Sequence, residues 1–315
     1  MDTERLRTSL IAWFRGHGRD LPWRRTRDPY PVLVSEIMLQ QIQVARAIPF
    51  YEAFLVRFPT LGHLAEAPVA DVIRTWGDLG RYRRAVYLHR IARIVVDEHG
   101  GKVSADPATL RQLPGVGPYT AGAVACFAFE ADVPFLDTNM LRVLHRIFLG
   151  AEDASPARAV RRLEPIAAAL VPDGAGWAWN SALMDLGATV CTARKPRCAP
   201  CPVADLCAAR PAFETGGVAP AAIRRTPPFR YEDSNRYYRG RVLAALRALP
   251  DDPEADLPMM RLGEQVRDGF TDGDVPWLYG VVRSLAKDGL ASVAEEPAAY
   301  DAGGPDPASA RVRLP

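Results

Sequence analysis

Leu6, Leu10, Trp13 and Phe14 recur at helical spacing and give the N-terminal segment one apolar stripe. Pro22, Pro29 and Pro31 break that pattern. It resumes from about Val32 to Val44, and further helical periods cover about 46–57, 69–76, 82–98 and 107–112. Leu113-Pro114-Gly115-Val116-Gly117 then reads as a turn, and the helix after it runs to about Phe129. More helices fit 137–148, 156–170 and 176–188. No stretch sustains period-two alternation, so the expected fold is all-α. From 213 to 230 the periodicity gives way to Gly216-Gly217, Pro220, Arg224-Arg225 and Pro227-Pro228, a linker composition. Beyond it, helices are expected at 233–248, 258–267 and 275–288. Two β-prone pieces follow at 291–295 and 310–314, around a Gly/Pro/Asp-rich loop. Three helices and a terminal hairpin suggest a small α+β, winged-helix-like domain over 231–315. Trp277 and Tyr279 are expected in its core.

The length of 315 residues allows two or three domains. No apolar run approaches the roughly 20 residues of a membrane span. Met1–Gly16 is charged from Asp2 to Arg7, so no signal peptide is expected. A cytoplasmic location follows, nucleoid-associated if the source is bacterial. The net charge of +2 conceals an asymmetry: residues 231–315 hold 10 Lys/Arg against 15 Asp/Glu, leaving 29 against 22 for residues 1–230. Attraction to a polyanion therefore belongs to the first part. A mildly basic soluble domain would have the same balance.

Four of the five cysteines, Cys191, Cys198, Cys201 and Cys207, follow a C-x6-C-x2-C-x5-C spacing. Structural zinc sites usually use two short-spaced pairs set well apart. A single short pair flanked by two more distant thiols fits four-cysteine ligation of a [4Fe–4S] cluster better, and zinc stays open as the alternative. Disulfides are not expected in a reducing interior. Cys126, inside the apolar run Ala123–Phe129, reads as a small buried hydrophobe.

In Leu113–Gly117, Gly115 and Gly117 bracket a small apolar residue, and Pro118-Tyr119-Thr120 open the next helix. Such glycines permit a tight turn close to another surface, and the first N–H groups of the helix can hold a phosphate. The ordinary alternative is a plain helix–helix turn. Further on, Val133-Pro134-Phe135-Leu136 leads into Asp137-Thr138-Asn139 at a helix start. Asp137 there is either an N-cap or a carboxylate facing a developing positive charge.

With these residues the chain resembles the helix-hairpin-helix DNA glycosylases that carry an iron–sulfur cluster, the endonuclease III superfamily, and within it the adenine-specific, MutY-like branch. The resemblance spans about residues 8–210. It includes Leu21-Pro22-Trp23-Arg24, Ser35–Gln41, the hairpin, the Asp137 segment, Leu183–Ala188 and Lys195–Cys198. It implies a glycosylase domain over 1–212, with a six-helix barrel at about 22–130 and a cluster module of 1–21 plus 131–212, the active-site cleft lying between them. Glu36 then corresponds to the acid that protonates adenine at N7, and Asp137 to the carboxylate that stabilises an oxocarbenium-like sugar. Tyr119 and Asn139 correspond to residues that position the Asp and stabilise the sugar cation. Strand-cutting members carry Lys where this chain has Tyr119, so a monofunctional enzyme is implied. Gln40, Gln41 and Ile42 resemble the loop that wedges into the duplex. Gly80-Arg81-Tyr82-Arg83-Arg84 resembles a second inserted loop, although a solvated charge run has the same look. Gly115, Gly117 and Thr120 are implied on the DNA backbone, and Lys195 beside the cluster likewise. The implied partner is duplex DNA with a mismatched or oxidised base pair, bound by a monomer.

The chain departs from the branch at Ile42, usually Thr, at Arg81, usually Tyr, and at Thr138, usually Gly. Residues 231–315 are too short and too helical for the usual sensor domain. These departures keep a thymine/uracil glycosylase acting opposite guanine in view. A non-catalytic, redox-responsive DNA-binding protein is the alternative of a different class, and it would need neither Glu36 nor Asp137.

Overall fold

A computed structural model describes residues 2–151, 156–216, 230–252, 255–294 and 307–315. In chain order the helices are α1 (Thr3–His17), α2 (Pro29–Leu39), α3 (Val44–Arg57), α4 (Leu61–Glu66), α5 (Val69–Trp76) and α6 (Arg83–His99). They continue with α7 (Pro107–Leu110), α8 (Pro118–Phe129), α9 (Thr138–Phe148), α10 (Pro156–Leu170), α11 (Gly176–Thr189) and α12 (Arg210–Glu214). The last three are α13 (Asn235–Arg247), α14 (Met259–Val266) and α15 (Val275–Lys287). Contacts divide the chain into two compact units, Met1–Gln40 with Val103–Arg224, and Gln41–Lys102 with Arg225–Pro315.

In the first unit, α2 and α8 are buried nearly all round. α2 has no polar face because Val32 to Met38 are all covered. Pro29 does not break this helix. It opens it, behind the Asp28 cap that accepts from Tyr30 N at 2.9 Å, because a first-turn proline has no hydrogen bond to lose. The helix also stops at Leu39 rather than running to Val44, since Gln41 is left-handed at φ 59°. α8 is built of Ala, Gly and Cys along its middle, which lets neighbours approach closely. A Cβ on Gly122 would lie 2.8 Å from Cβ of Phe135. Around α8, Leu6, Leu10 and Phe14 of α1 share one core with Met140, Val143 and Leu144 of α9 and Trp179, Leu183 and Leu186 of α11.

The same unit contains a charged centre. Asp185 of α11 is completely buried and accepts from Arg19 N and Arg19 Nε at 2.8 Å, and from both terminal nitrogens of Arg24 at 2.8 and 2.9 Å. Burial pushes its carboxyl up, but Arg24 and Arg19 together outweigh that and hold it below the usual carboxylate range. This ties the Leu21–Arg24 segment to α11.

The second unit joins α3–α6 to the C-terminal residues. Phe54, Phe58 and Trp76 form edge-to-face ring pairs among α3–α5. Ile73 of α5 and Val86 of α6 belong to the same core as Val242, Leu246, Leu278, Val282 and Val312. The core of the C-terminal helices is therefore closed in part by α5 and α6. A three-stranded antiparallel sheet completes this region: β1 (Leu257–Pro258), β2 (Ser292–Ala294) and β3 (Arg311–Arg313), in the order β1-β3-β2. The hairpin partners β2 and β3 match the expected β-prone pieces, while β1 is too short to show periodicity. Trp277 and Tyr279, expected in the core, are instead partly buried against it, with the Trp277 ring 4.7 Å from that of Tyr238. Most of the linker (217–229) and the loop at 295–306 lie outside the described residues. No described helix is long and apolar enough to cross a membrane.

Candidate active site and cluster loop

Glu36 sits in the middle of α2 at 3% exposure, between the buried Ser35 and Ile37. Burial raises its carboxyl from 4.5 to about 7. The Tyr119 hydroxyl, donating to it, works in the opposite direction; the Asp137 carboxylate raises it further, and Arg24 lowers it. A carboxylic acid that keeps its proton near neutrality is a proton donor. Tyr119 is the second residue of α8, and its ring meets Phe135 edge-on at 5.5 Å. Burial, then the neighbouring Glu36 and Asp137, keeps its phenol well above the ordinary tyrosine value. It is therefore a neutral hydroxyl, unable to act as an amine nucleophile.

Asp137 is the N-cap of α9. Oδ1 accepts from Met140 N at 2.6 Å and Oδ2 from Asn139 Nδ2 at 2.9 Å. Capping and a chemical role are not exclusive: the cap bond fixes the rotamer of the carboxylate. Asn139 is held in turn, since Arg142 Nη2 donates to its Oδ1 at 2.9 Å and to Gly187 O at 2.7 Å. Arg142 Nε donates to Cys191 O at 2.9 Å. Arg142 is a functional residue that no motif in the sequence marks. Its i,i+3 spacing from Asn139 was the available sign; its partners lie 45 and 49 residues further along. Gly187 must be glycine because a Cβ there would lie 2.8 Å from Cβ of Asn139.

The hairpin is as expected. α7 packs against α8 across the Leu113–Gly117 turn, Gly115 takes φ 76°, and Gly117 caps α8 ahead of Pro118. Gln40 Nε2 lies 3.4 Å from Gly115 O and 3.3 Å from Thr120 Oγ1. Thr120, expected on the DNA backbone, is buried at 3% exposure.

In the second unit Gln41 and Ile42 precede α3, and Arg81 is exposed at φ 51°. Tyr82 is partly buried beneath the Arg247 guanidinium, 5.3 Å from the ring centroid. Arg84, which sequence alone groups with the exposed cations, is buried at 8% exposure. Burial and the nearby Arg81 charge bring its guanidinium down to about 10.

Cys191 follows the end of α11, its N–H bonded to Leu186 O at 2.7 Å. The loop then returns through Cys198, whose carbonyl accepts from Cys201 N at 3.1 Å, and ends at Cys207, whose thiol donates to Arg146 O at 3.4 Å. All four thiols are free and partly buried. Burial pushes the thiols of Cys198, Cys201 and Cys207 up, and Arg146 Nη1 donates to Cys191 Sγ at 3.3 Å. A four-thiol set lining one loop against an apolar core, with an arginine on one sulfur, suits a cluster that takes one thiolate per iron. Cys126 is separate: burial pushes its thiol up to about 12, which leaves it inert.

Residues 34–168 match the HhH-GPD superfamily of base excision DNA repair proteins, and residues 191–207 match the iron–sulfur binding domain of endonuclease III. An adenine DNA glycosylase of Mycolicibacterium smegmatis is 46% identical over 239 residues, spanning 76% of this chain and 79% of its own length. Another, from Mycobacterium tuberculosis, is 42% identical over 275 residues, spanning 86% and 83%. Among solved structures, a thermostable thymine-DNA glycosylase is 31% identical with a TM-score of 0.62, over 68% of this chain and 97% of its own.

Proposed function

The chain belongs to the MutY-type adenine DNA glycosylases of the helix-hairpin-helix superfamily, with a [4Fe–4S] cofactor, and from that premise we propose how its residues divide the work. It is a base excision repair enzyme that hydrolyses the N-glycosidic bond of adenine. In our reading the adenine is mispaired with guanine or 8-oxoguanine. The observation that carries the assignment is Glu36: a buried carboxylic acid with its proton held to about pH 7, bonded to Tyr119 and within electrostatic reach of Asp137.

Glu36 donates its proton to adenine N7. The C1′–N9 bond then breaks with its electron pair going to the base, and positive charge develops on the sugar. Asp137, its rotamer fixed by Met140 N and Asn139, stabilises that charge. Water adds at C1′ and gives up a proton, leaving an abasic site. A phenol at Tyr119 forms no Schiff base, so the strand stays intact. Cys191, Cys198, Cys201 and Cys207 hold the cluster, which supplies order to the loop that presents Lys195. Gln40, Gln41 and Ile42 enter the duplex beside the extruded base. Arg81 is the exposed tip of a second inserted segment, with Tyr82 as its footing. Gly115, Gly117 and the N–H of Thr120 meet the phosphate backbone. We assign 1–212 to the glycosylase domain, 213–230 to a linker and 231–315 to a winged-helix-like appendage, and place a monomeric enzyme in the cytoplasm, on the nucleoid of a bacterial source.

The test is base release from four duplexes, with A opposite 8-oxoguanine, A opposite G, T opposite G and U opposite G, each read with and without hot alkali. Adenine release that needs alkali for strand scission supports the reading. Release confined to T or U opposite G would transfer the chain's chemistry to the mismatch pyrimidine branch and overturn the role given to Glu36. The ratio between the two adenine duplexes measures what Ile42 and the shortened C-terminal region leave of 8-oxoguanine preference.

A further inference from the structure

Between α5 and α6 the chain makes an unusual passage. Gly77, Gly80 and Arg81 all have positive φ, at 58°, 83° and 51°. Glycine tolerates this, but an arginine keeps it only when its surroundings impose it. Three contacts do so, all within the second unit. Trp76 Nε1 donates to Gly80 O at 2.8 Å. Arg46 Nη2 donates to Asp78 O at 2.5 Å. The third comes from the far end of the chain: Arg247, on the last turn of α13, bonds Asp78 Oδ1 at 2.5 Å and covers the ring of Tyr82. The Arg247 side chain is only 15% exposed, whereas that of Asp78 is 81% exposed.

This contact is one point of a broad attachment. Arg74 reaches Asp251 at 2.8 Å and Pro250 O at 3.1 Å. Arg83 pairs with Asp288 at 3.4 Å, and Ile73 and Val86 enter the C-terminal core. The C-terminal region thus grips both helices and the turn that joins them, while Arg81 stays exposed. A net charge of −5 over residues 231–315 makes that region a poor phosphate ligand. The same charge is no obstacle to a role exercised through one half-buried arginine on its own chain.

We propose that Arg247 is a specificity-determining positioning residue, through which the C-terminal region holds the Gly77–Tyr82 turn so that Arg81 meets the DNA duplex in one orientation. The proposal rests on the reading of Gly80–Arg84 as a DNA-facing segment. An arginine side chain has many rotamers. It discriminates between opposing bases only if the backbone beneath it is fixed. The C-terminal region supplies that fixation.

The experiment uses the full-length, cluster-containing protein and the variants Arg247→Ala, Arg247→Lys, Asp78→Asn, Arg81→Ala and Arg81→Ala/Arg247→Ala. Thermal melts and cluster absorbance check integrity. Duplex affinity and single-turnover base release are measured with A opposite G and A opposite 8-oxoguanine. Arg247→Ala is expected to weaken duplex binding about tenfold and to change the ratio between the two duplexes, with the saturated rate on the better duplex within about twofold of wild type. Arg247→Lys, which keeps the charge but not the flat face over Tyr82, falls between. Arg81→Ala makes the same changes, and adding it to Arg247→Ala has much less effect than it has alone. If Arg247→Ala does not fold, Asp78→Asn must shift affinity and ratio in the same direction. Should folded Arg247→Ala and Asp78→Asn leave both quantities unchanged while Arg81→Ala alters them, or should the double variant be additive, the positioning role is wrong and the DNA-facing reading survives. If Arg81→Ala itself changes nothing, the DNA-facing reading fails and the proposal falls with it.

Discussion

The side-chain amide of Asn139 donates to Oδ2 of Asp137 at 2.9 Å, while the other oxygen of that carboxylate caps α9. Asparagine caps a helix about as well as aspartate. Asp137→Asn should therefore change stability by no more than about 1 kcal/mol, yet lower base release by roughly a thousandfold through loss of the charge facing the sugar. Denaturation and single-turnover kinetics on the same preparation separate the two. A variant that released adenine at the wild-type rate would reduce Asp137 to a cap.

Glu36 links pH to both stability and rate. Its carboxyl is raised from 4.5 in an unfolded chain to about 7 in the fold. The protonated, buried form is fully compatible with folding below pH 4.5. As pH rises toward 7 the unfolded chain ionises first, so stability falls, by an amount on the order of 3 kcal/mol. Glu36→Gln should erase that part of the urea-denaturation profile. In the wild-type protein, base release should decline above about pH 7, where the acid form is lost. A pH-independent rate across that range would remove Glu36 as the proton donor.

Asp185 obeys the opposite sign. Its carboxyl is held below 3.8 by Arg24 and Arg19, so the stability it contributes is present above 3.8 and disappears as pH falls through its folded value. Asp185→Asn leaves two arginines facing a neutral, fully buried amide and is expected to cost about 3–5 kcal/mol. Chemical denaturation at neutral pH reads this directly; a loss under about 1 kcal/mol would mean that the ion network is no stronger than a surface pair.

Lys195 stands exposed in the cluster loop, whose turn is closed by Thr192 Oγ1 donating to Lys195 O at 2.7 Å. Lys195→Glu should weaken binding to all duplexes alike and lower the slope of log affinity against log salt by about 1 to 2. Titrations at several salt concentrations test it. An unchanged slope would take this loop off the phosphate backbone.

Much of this site is visible in the residues themselves. The cysteine spacing, the Gly115/Gly117 turn and the Asp137 helix start are local features, and local features survive in sequence. The features that escape reading join distant segments. Arg142 bridges Asn139 to Cys191, Arg19 and Arg24 converge on Asp185, and Ile73 and Val86 enter the C-terminal core. Arg84 looks like a surface cation because it stands in a charge run with Arg81 and Arg83; only the fold reveals it as buried. The overrun of the second helical stretch to Val44 has a similar cause. Apolar periodicity continues through Ile42, but the backbone reverses at Gln41, and no property of a glutamine announces a left-handed residue.

The strand order β1-β3-β2 has a consequence for biosynthesis. β3 lies between the other two, yet it is the last of them to leave the ribosome. Neither β1 nor β2 has a partner until residues 311–313 emerge, and the core shared by α5, α6 and α13–α15 stays open for the same interval. A nonsense codon that removed only the final strand would therefore do more than trim an edge. It would unpair both outer strands and open the core that Val312 helps to close, making the shortened chain a target for chaperones and proteases.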